Sequence, residues 1–163
     1  PQYKEFNPSS VNPEKIISMF FNGEVHILTS ILRVGAPGSH TDTASTGKGY
    51  TVGIGLNGQL NKEGYNIYGE RRTSTASGRM FEDVVLCGHD EICNQIKKAH
   101  KMLSRFGIIS WDFAVDENCE PILIEYNLNY PDVMIYQMNN GPLFGDLTQT
   151  ILEDVREKLK KER

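Results

Sequence analysis

The sequence has 163 residues, of which 23% are charged, and its formal net charge is −4 at pH 7. This length can bury one sizeable core, and the acidic balance leaves no basic surplus for binding nucleic acid. No apolar run approaches the roughly 18 residues that a membrane-spanning helix needs, and no secretory signal is present. These features predict a single domain, residues 1–163, in the cytoplasm.

The three cysteines, Cys87, Cys93 and Cys119, show no metal-ligand spacing. Because their number is odd, they argue against a disulfide framework, and we expect reduced thiols. The chain begins with Pro1 rather than Met, which suggests a piece of a longer protein.

Residues 15–21 and 25–34 are predicted strands around an Asn22-Gly23 turn, since Asn-Gly between apolar runs is a strong hairpin signal. Residues 35–49 are rich in Gly, Ser and Thr, which is typical of a long surface loop. Alternation along the second strand puts five side chains on one face: Val25, Ile27, Thr29, Ile31 and Arg33.

Residues 50–60 return to strand character, with Asn57-Gly58 as a second turn, and residues 61–81 look polar and irregular. Asp90 is expected to cap a helix that runs to about Phe106. Its buried face would carry four apolar residues: Ile92, Ile96, Ala99 and Leu103. His89 and His100, near or on this helix, show no partner pattern, so no chemistry is assigned to them.

The stretch from residue 108 to residue 127 predicts two strands joined by a tight turn between Asn118 and Cys119. With this turn, Asp112 faces Glu125, and Asn127 projects on the same side as Glu125. On the other face we expect ordinary core pairs: Trp111 opposite Tyr126, Phe113 opposite Ile124, and Val115 opposite Ile122.

Two carboxylates that face each other across a ladder destabilise it unless a cation or a proton holds them. Asp112, Glu125 and Asn127 supply three hard oxygen ligands, which suit Mg²⁺. The same spacing also fits two solvated carboxylates on the exposed face of an edge hairpin, and the residues alone leave both interpretations open.

After Pro131, Asp146 is expected to cap a last helix with a buried stripe of Ile151, Leu152, Val155 and Leu159. Hairpins come first, followed by a helix, a hairpin and a helix. This order predicts an α+β fold, with a mostly antiparallel sheet and helices packed on one face.

The central hairpin, S-W-D-F-A-V-D-E-N-C-E-P-I-L-I-E-Y-N, resembles the metal-binding hairpin of the ATP-grasp superfamily. More closely, it resembles the sugar-transfer-associated branch, in which an aspartate follows Gly/Ser-Trp and the second strand ends in Glu-x-Asn. Gln137 before Gly-Pro-Leu is also similar to this branch. The resemblance implies the C-terminal lobe of an ATP-grasp fold. In it, Asp112, Glu125 and Asn127 would hold Mg²⁺ (or Mn²⁺) against ATP, with Glu125 as a bridging ligand.

Two cationic residues belong to the same resemblance. Arg33 resembles a basic strand end that faces the triphosphate or an acyl phosphate, and Lys15 stands where the branch carries arginine. The resemblance implies catalytic roles for both. In the intervening loop the chain departs from the pattern of the branch. Thr43 stands where the branch carries an asparagine, and Lys48 separates two glycines that are adjacent in the branch.

The activity implied is phosphoryl transfer from ATP to a carboxylate-bearing or sugar-linked substrate, followed by attack of a nucleophile, in surface-polysaccharide biosynthesis. The resemblance spans residues 5–155 and covers only the C-terminal half of an ATP-grasp unit. We therefore expect the N-terminal nucleotide lobe of the parent chain as a partner, and no activity of this chain alone. Two other hypotheses are a truncated or degenerate lobe acting as a non-catalytic binding or structural module, and a metal-binding protein unrelated to nucleotides.

Overall fold

The computed structural model describes residues 2–36, 49–129 and 131–161. Within these ranges the chain forms seven strands and three α-helices. The strands are β1 (Glu14–Phe21), β2 (Glu24–Val34), β3 (Tyr50–Ile54), β4 (Leu60–Tyr65), β5 (Arg71–Arg72), β6 (Ile108–Val115) and β7 (Pro121–Asn127). The helices are α1 (His89–Met102), α2 (Met134–Asn140) and α3 (Thr148–Lys161). None of these described helices is long and apolar enough to cross a membrane.

The strands form one sheet in the order β5-β4-β3-β2-β1-β6-β7, and each neighbouring pair is antiparallel. The predicted α+β class with an antiparallel sheet is therefore confirmed. Because β6 pairs with β1, the central hairpin lies beside a strand that is about 95 residues earlier in the sequence. The β-strands β4 and β5 occupy part of the stretch that was expected to be irregular.

Both Asn-Gly turns form where the sequence predicts them. Asn22 and Gly23 have φ angles of 51° and 84°, and Asn57 and Gly58 have φ angles of 59° and 79°. Positive φ at both central residues is the conformation that favours Asn and Gly in hairpin turns.

The first hairpin contains a bulge that changes one predicted face. Ile17 lies opposite Thr29, but Ser18 lies opposite Ile27, so Leu28 is the extra residue. Ile27 consequently packs with the cluster under α1, whereas Ile31 packs with the cluster under α2. The predicted shared face was wrong for Val25 and Ile27, because a bulge reverses the alternation and the sequence pattern does not reveal it.

The helices α1 and α2 cover opposite faces of the sheet. On α1, Ile92 and Ile96 pack in a cluster with Ile16, whereas Tyr136 of α2 packs in a cluster with Ile17. Consecutive residues of a strand point to opposite faces. Whereas we expected the helices on one face, the structure divides α1 and α2 between two.

Helix α3 contradicts the predicted buried stripe. No residue of α3 is buried, and three apolar side chains are about half exposed, namely Leu152, Val155 and Leu159. Asp146 lies in a 3-10 turn, Gly145–Leu147, before the helix. The outer strand β7 is similar, since Ile122, Ile124 and Tyr126 are exposed rather than core. An apolar stripe shows which face is able to pack, but not whether a neighbour covers it.

The expectation of three reduced thiols was wrong for two of them. A disulfide joins Cys87 to Cys119, with the two Cα atoms 5.4 Å apart, and Cys93 is free. The odd cysteine count was a poor guide, because one pair and one free thiol satisfy it equally well. The disulfide attaches the β6–β7 turn to the segment just before α1.

Candidate metal and phosphate site

The β6–β7 hairpin brings Asp112 and Glu125 together, as predicted. Asp112 is directly opposite Glu125, and Ser110 is opposite Asn127. Two residues apart on β7, Glu125 and Asn127 share a face, and the Asn127 Nδ2 lies 3.3 Å from Glu125 Oε1. Two carboxylates and one amide thus meet at the same part of the sheet.

Immediately beyond this pair the register shifts by one residue. Phe113 lies opposite Leu123 and Val115 lies opposite Pro121, so Ile124 is the extra residue of a bulge. The predicted pairs Phe113–Ile124 and Val115–Ile122 were therefore wrong. Val115 pairs with Pro121, so the loop between the strands has an odd number of residues, and the predicted even-numbered turn was also wrong. The bulge compensates for this difference and restores the predicted pairing of Asp112 with Glu125.

Asp112 is held by Lys15 of the neighbouring strand. The Lys15 Nζ donates a hydrogen bond to Asp112 Oδ2 at 2.6 Å, and the two side chains are only 15% and 8% exposed. Burial raises the pKa of Asp112, and the hydrogen bond and charge of Lys15 oppose the rise without cancelling it. The nearby carboxylate of Glu125 acts in the same direction as burial.

The other carboxylate oxygen of Asp112 lacks a hydrogen bond within the described part of the chain. Asp112 Oδ1 is buried and has no hydrogen-bond partner among the described residues. Leaving a buried acceptor unsatisfied destabilises a protein by about 1–3 kcal/mol, so such an atom calls for an explanation. With Glu125 opposite and Asn127 beside it, Asp112 belongs to an oxygen donor set that fits Mg²⁺ or Mn²⁺.

This donor set contains only two carboxylates. No cluster of three or more His, Cys, Asp or Glu residues suited to a metal occurs in the described part of the chain. A divalent cation here would therefore need the Asn127 amide oxygen together with water or phosphate oxygens, which is the usual manner in which Mg²⁺ binds.

Arg33 lies on the same face of the sheet as Lys15 and Asp112. Ile31 is opposite Lys15 across the β1–β2 ladder, and Arg33 follows two residues later. Its charge is close enough to Asp112 to oppose the rise that burial causes in the pKa of that carboxyl. The structure therefore brings together all five sequence-predicted residues, namely Lys15, Arg33, Asp112, Glu125 and Asn127. Their roles stay a prediction.

Helix α2 packs on this face through residues that the sequence analysis did not single out. The buried Tyr136 hydroxyl lies 3.3 Å from Ser110 Oγ, and burial raises the pKa of Tyr136. The Asn140 Nδ2 donates to Thr29 Oγ1 and to the Ser30 carbonyl oxygen, each at 2.8 Å. The signal available for these residues was the Asn139-Asn140-Gly141 run, which is typical of a helix end.

Gln137, part of the motif before Gly-Pro-Leu, has a structural contact. Its Oε1 accepts a hydrogen bond from the Leu143 backbone N–H at 3.1 Å, so it holds the turn that follows α2. Thr43 and Lys48, where the chain departs from the branch pattern, lie outside the described residues.

The model of one protein family, described as sugar-transfer associated ATP-grasp, matches residues 1–152. The chain belongs to this family. The description of the family names the ATP-grasp fold and an association with sugar transfer. The predicted resemblance, drawn from the hairpin and the upstream basic residues, is confirmed.

Among solved structures, the ATP-grasp chain is similar to an L-amino acid ligase from Bacillus licheniformis, with a TM-score of 0.47 and 13% sequence identity. The match covers 85% of this chain and 28% of the ligase, so this chain spans less than a third of that enzyme. No curated protein matches the sequence significantly.

Proposed function

We propose that this chain is the C-terminal, metal-holding lobe of an ATP-grasp enzyme that joins a carboxylate-bearing or sugar-linked substrate to a nucleophile. The observation that carries the proposal is the pairing of Asp112 with Glu125, together with the buried Asp112 Oδ1 that lacks a hydrogen bond among the described residues. The description of the family as sugar-transfer associated supports the further proposal of a role in surface-polysaccharide biosynthesis.

The residues divide into metal ligands and phosphate ligands. Asp112, Glu125 and Asn127 would hold Mg²⁺ or Mn²⁺, which would neutralise charge on the phosphates of ATP. Arg33 can bind phosphate oxygens bidentately through its planar guanidinium group. Lys15 neutralises Asp112 in the metal-free chain, and its ammonium becomes available for a phosphate oxygen once a divalent cation takes over that role.

In the proposed reaction, a substrate carboxylate takes the γ-phosphoryl group of ATP and forms an acyl phosphate and ADP. A nucleophile then attacks the acyl carbon and releases phosphate. The protein contributes mainly position and charge, because phosphoryl transfer needs little covalent help. Cations at Lys15 and Arg33 on the same face as the metal ligands supply this charge.

The proposal requires a nucleotide lobe outside residues 1–163, provided by the N-terminal part of the parent chain, and we place the activity in the cytoplasm, where ATP is available. A disulfide such as Cys87–Cys119 is uncommon in that compartment. Its oxidation state in cells can be measured directly by thiol alkylation and mass spectrometry.

The metal site is tested by titrating Mn²⁺ into this chain, with and without ATP, and following free Mn²⁺ by electron paramagnetic resonance. Asp112→Asn and Glu125→Gln each remove a ligand charge, and we expect each to weaken Mn²⁺ binding by roughly tenfold or more. Glu117→Gln is the matched control, because it removes one exposed carboxylate from the turn of the same hairpin. Equal binding in wild type and Asp112→Asn would refute the site.

The same titration, repeated on the parent chain with its nucleotide lobe, separates the three hypotheses. ATP-strengthened Mn²⁺ binding and ADP release with a carboxylate substrate support the enzyme. Metal binding that ATP does not affect in the parent chain would instead identify a metal-binding protein. A parent chain that binds neither ATP nor Mn²⁺ would be a non-catalytic module.

A further inference from the structure

A second group of reactive side chains lies on the opposite face of the sheet, where β1 meets the start of α1. The His89 Nδ1 is 2.6 Å from Glu14 Oε2, and the His89 Nε2 is 3.6 Å from Cys93 Sγ. Glu14 is fully buried and His89 is 5% exposed, while Cys93 is half-buried. A carboxylate, an imidazole and a thiol therefore stand in line from the core towards the surface.

The buried end of this line is firmly held. The Tyr3 hydroxyl donates a hydrogen bond to Glu14 Oε1, so both carboxylate oxygens of Glu14 have partners. A buried carboxylate needs a cationic partner to offset its lost hydration. His89 is the group placed to provide that charge.

Although burial alone would lower the pKa of His89, hydrogen bonds to Cys93 and Glu14, together with the charge of Glu14, raise it to about 10. His89 is therefore an imidazolium at neutral pH. An imidazolium beside a cysteine favours the thiolate, which is the nucleophilic form of the side chain.

Cys93 and His89 also line a cleft of about 620 Å³ between α1, β2 and α2. Asp90 lies one turn before Cys93 and Lys97 lies one turn after it, and both line the same cleft. The charged and titratable groups around His89 are thus Glu14 and Tyr3 on the buried side, and Cys93, Asp90 and Lys97 on the cleft side. Cys93 thus lines a cleft that is large enough for a small molecule, and its sulfur atom has His89 next to it.

We propose that Cys93 is a nucleophile, held beside His89, that forms a mixed disulfide with a small disulfide molecule bound in the cleft. Cys93 Sγ attacks one sulfur of the disulfide, a new Sγ–S bond forms, and the old S–S bond breaks. The leaving thiolate takes a proton from His89 Nε2 or from water. Cys93 is oxidised and the leaving sulfur is reduced, so no other reactant is needed. His89 and Glu14 are positioning residues in this step.

This site is independent of the proposed ligase activity. Glu14 and Lys15 are neighbours on β1 and point to opposite faces, so the thiol lies on the α1 face and the metal ligands lie on the α2 face. Occupation of the cleft by a mixed disulfide would also reach Asn140, which attaches α2 to β2. If the Mn²⁺ titration showed no metal site, the proposal for Cys93 would be unaffected. If Cys93 proved unreactive, the proposed metal site would be unaffected.

The test uses the oxidised chain, in which Cys93 is the free cysteine and Cys87 and Cys119 are joined. The rate of reaction with dithiobis-nitrobenzoate, an aromatic disulfide with carboxylates, is followed as a function of pH. An ordinary thiol has a pKa of about 8.5, so its rate falls steeply below that pH. We expect the rate of the native chain to fall less steeply below that pH than the rate of the urea-unfolded chain, because only the native chain holds His89 beside Cys93.

His89→Gln should lower the rate at about pH 6 by roughly tenfold, because it removes the imidazole beside Cys93 Sγ. Cys93→Ser should abolish the reaction. Identical pH profiles for native and unfolded chains would overturn the proposal. The comparison of native and unfolded chains needs no variant, so it tests the proposal even if substitution of the buried His89 prevents folding.

Discussion

At the scale of single residues, two adjacent positions of β1 organise two sites. Lys15 neutralises Asp112 on one face, and Glu14 holds His89 on the other. Both acids are buried, and each has a cationic partner from a different part of the chain. Buried charges persist in proteins mainly when they are paired in this way.

Replacement of Lys15 tests the first of these pairs. Lys15→Met leaves the buried Asp112 carboxylate without its ammonium partner, so we expect the free energy of unfolding to fall by about 2–3 kcal/mol. Urea denaturation with and without Mg²⁺ measures the effect, and Mg²⁺ should restore part of the loss. The control is Lys158→Met, which breaks an exposed pair with Asp154 and should change stability by less than about 0.5 kcal/mol. A similar loss in both variants would contradict the assigned role of Lys15.

At the scale of elements, the hairpins and helices each combine a local signal with a distant contact. The Asn-Gly turns and the apolar face of α1 form as their sequences predict, because turn geometry and helical period are local properties. The docking of α2 is different, since Asn140 reaches residues on β2 that are 110 or 111 positions earlier in the chain. No short-range pattern reports such a contact.

Gly53 is the residue that makes room for this docking. A Cβ atom at Gly53 would lie 2.1 Å from Asn140 Oδ1 and 2.2 Å from Asn61 Nδ2, which is too close for real atoms. We expect Gly53→Ala to displace these amides and lower the free energy of unfolding by about 1–3 kcal/mol. Gly107→Ala is the matched control, because a Cβ there would meet nothing within 4 Å. Thermal unfolding followed by circular dichroism compares the two, and equal stabilities would argue against close packing of α2 at Gly53.

At the scale of the whole molecule, the described structure is a sheet with two packed helices and a third that lies largely exposed. Helix α1 and helix α2 each bury apolar residues against the sheet, whereas α3 buries none. Most of the stability of a helix in a protein comes from packing of one face. The sheet and its two packed helices should therefore be independent of α3.

A truncation tests this division. A chain that ends at residue 147, and so lacks α3, should unfold with a free energy within about 0.5 kcal/mol of the full chain, as expected for changes away from the core. A chain that ends at residue 129 also loses Ile135 and Tyr136 from the core, and should be destabilised by several kcal/mol. Guanidinium unfolding measures both. A large loss on removal of α3 alone would mean that its apolar face has a partner within the chain.

The sequence by itself determined the antiparallel α+β class, the two Asn-Gly turns and the α1 face. These depend on residues that are close in the chain, where backbone period and turn type decide which side chains meet. The predicted pairing of Asp112 with Glu125 also formed, but through a bulge that the sequence pattern does not reveal. The family was also recognisable, because the hairpin motif is one continuous stretch.

Only the tertiary structure decided which distant residues complete the two sites. Because β1 lies between β2 and β6, Lys15 forms a hydrogen bond with Asp112. Because α1 packs against β1, His89 forms a hydrogen bond with Glu14, which is 75 residues away in the sequence. The tertiary structure also joined Cys87 to Cys119 and left the outer faces of α3 and β7 exposed. Periodicity assigns a residue to a face of its own strand or helix, whereas sheet order and packing decide what that face meets.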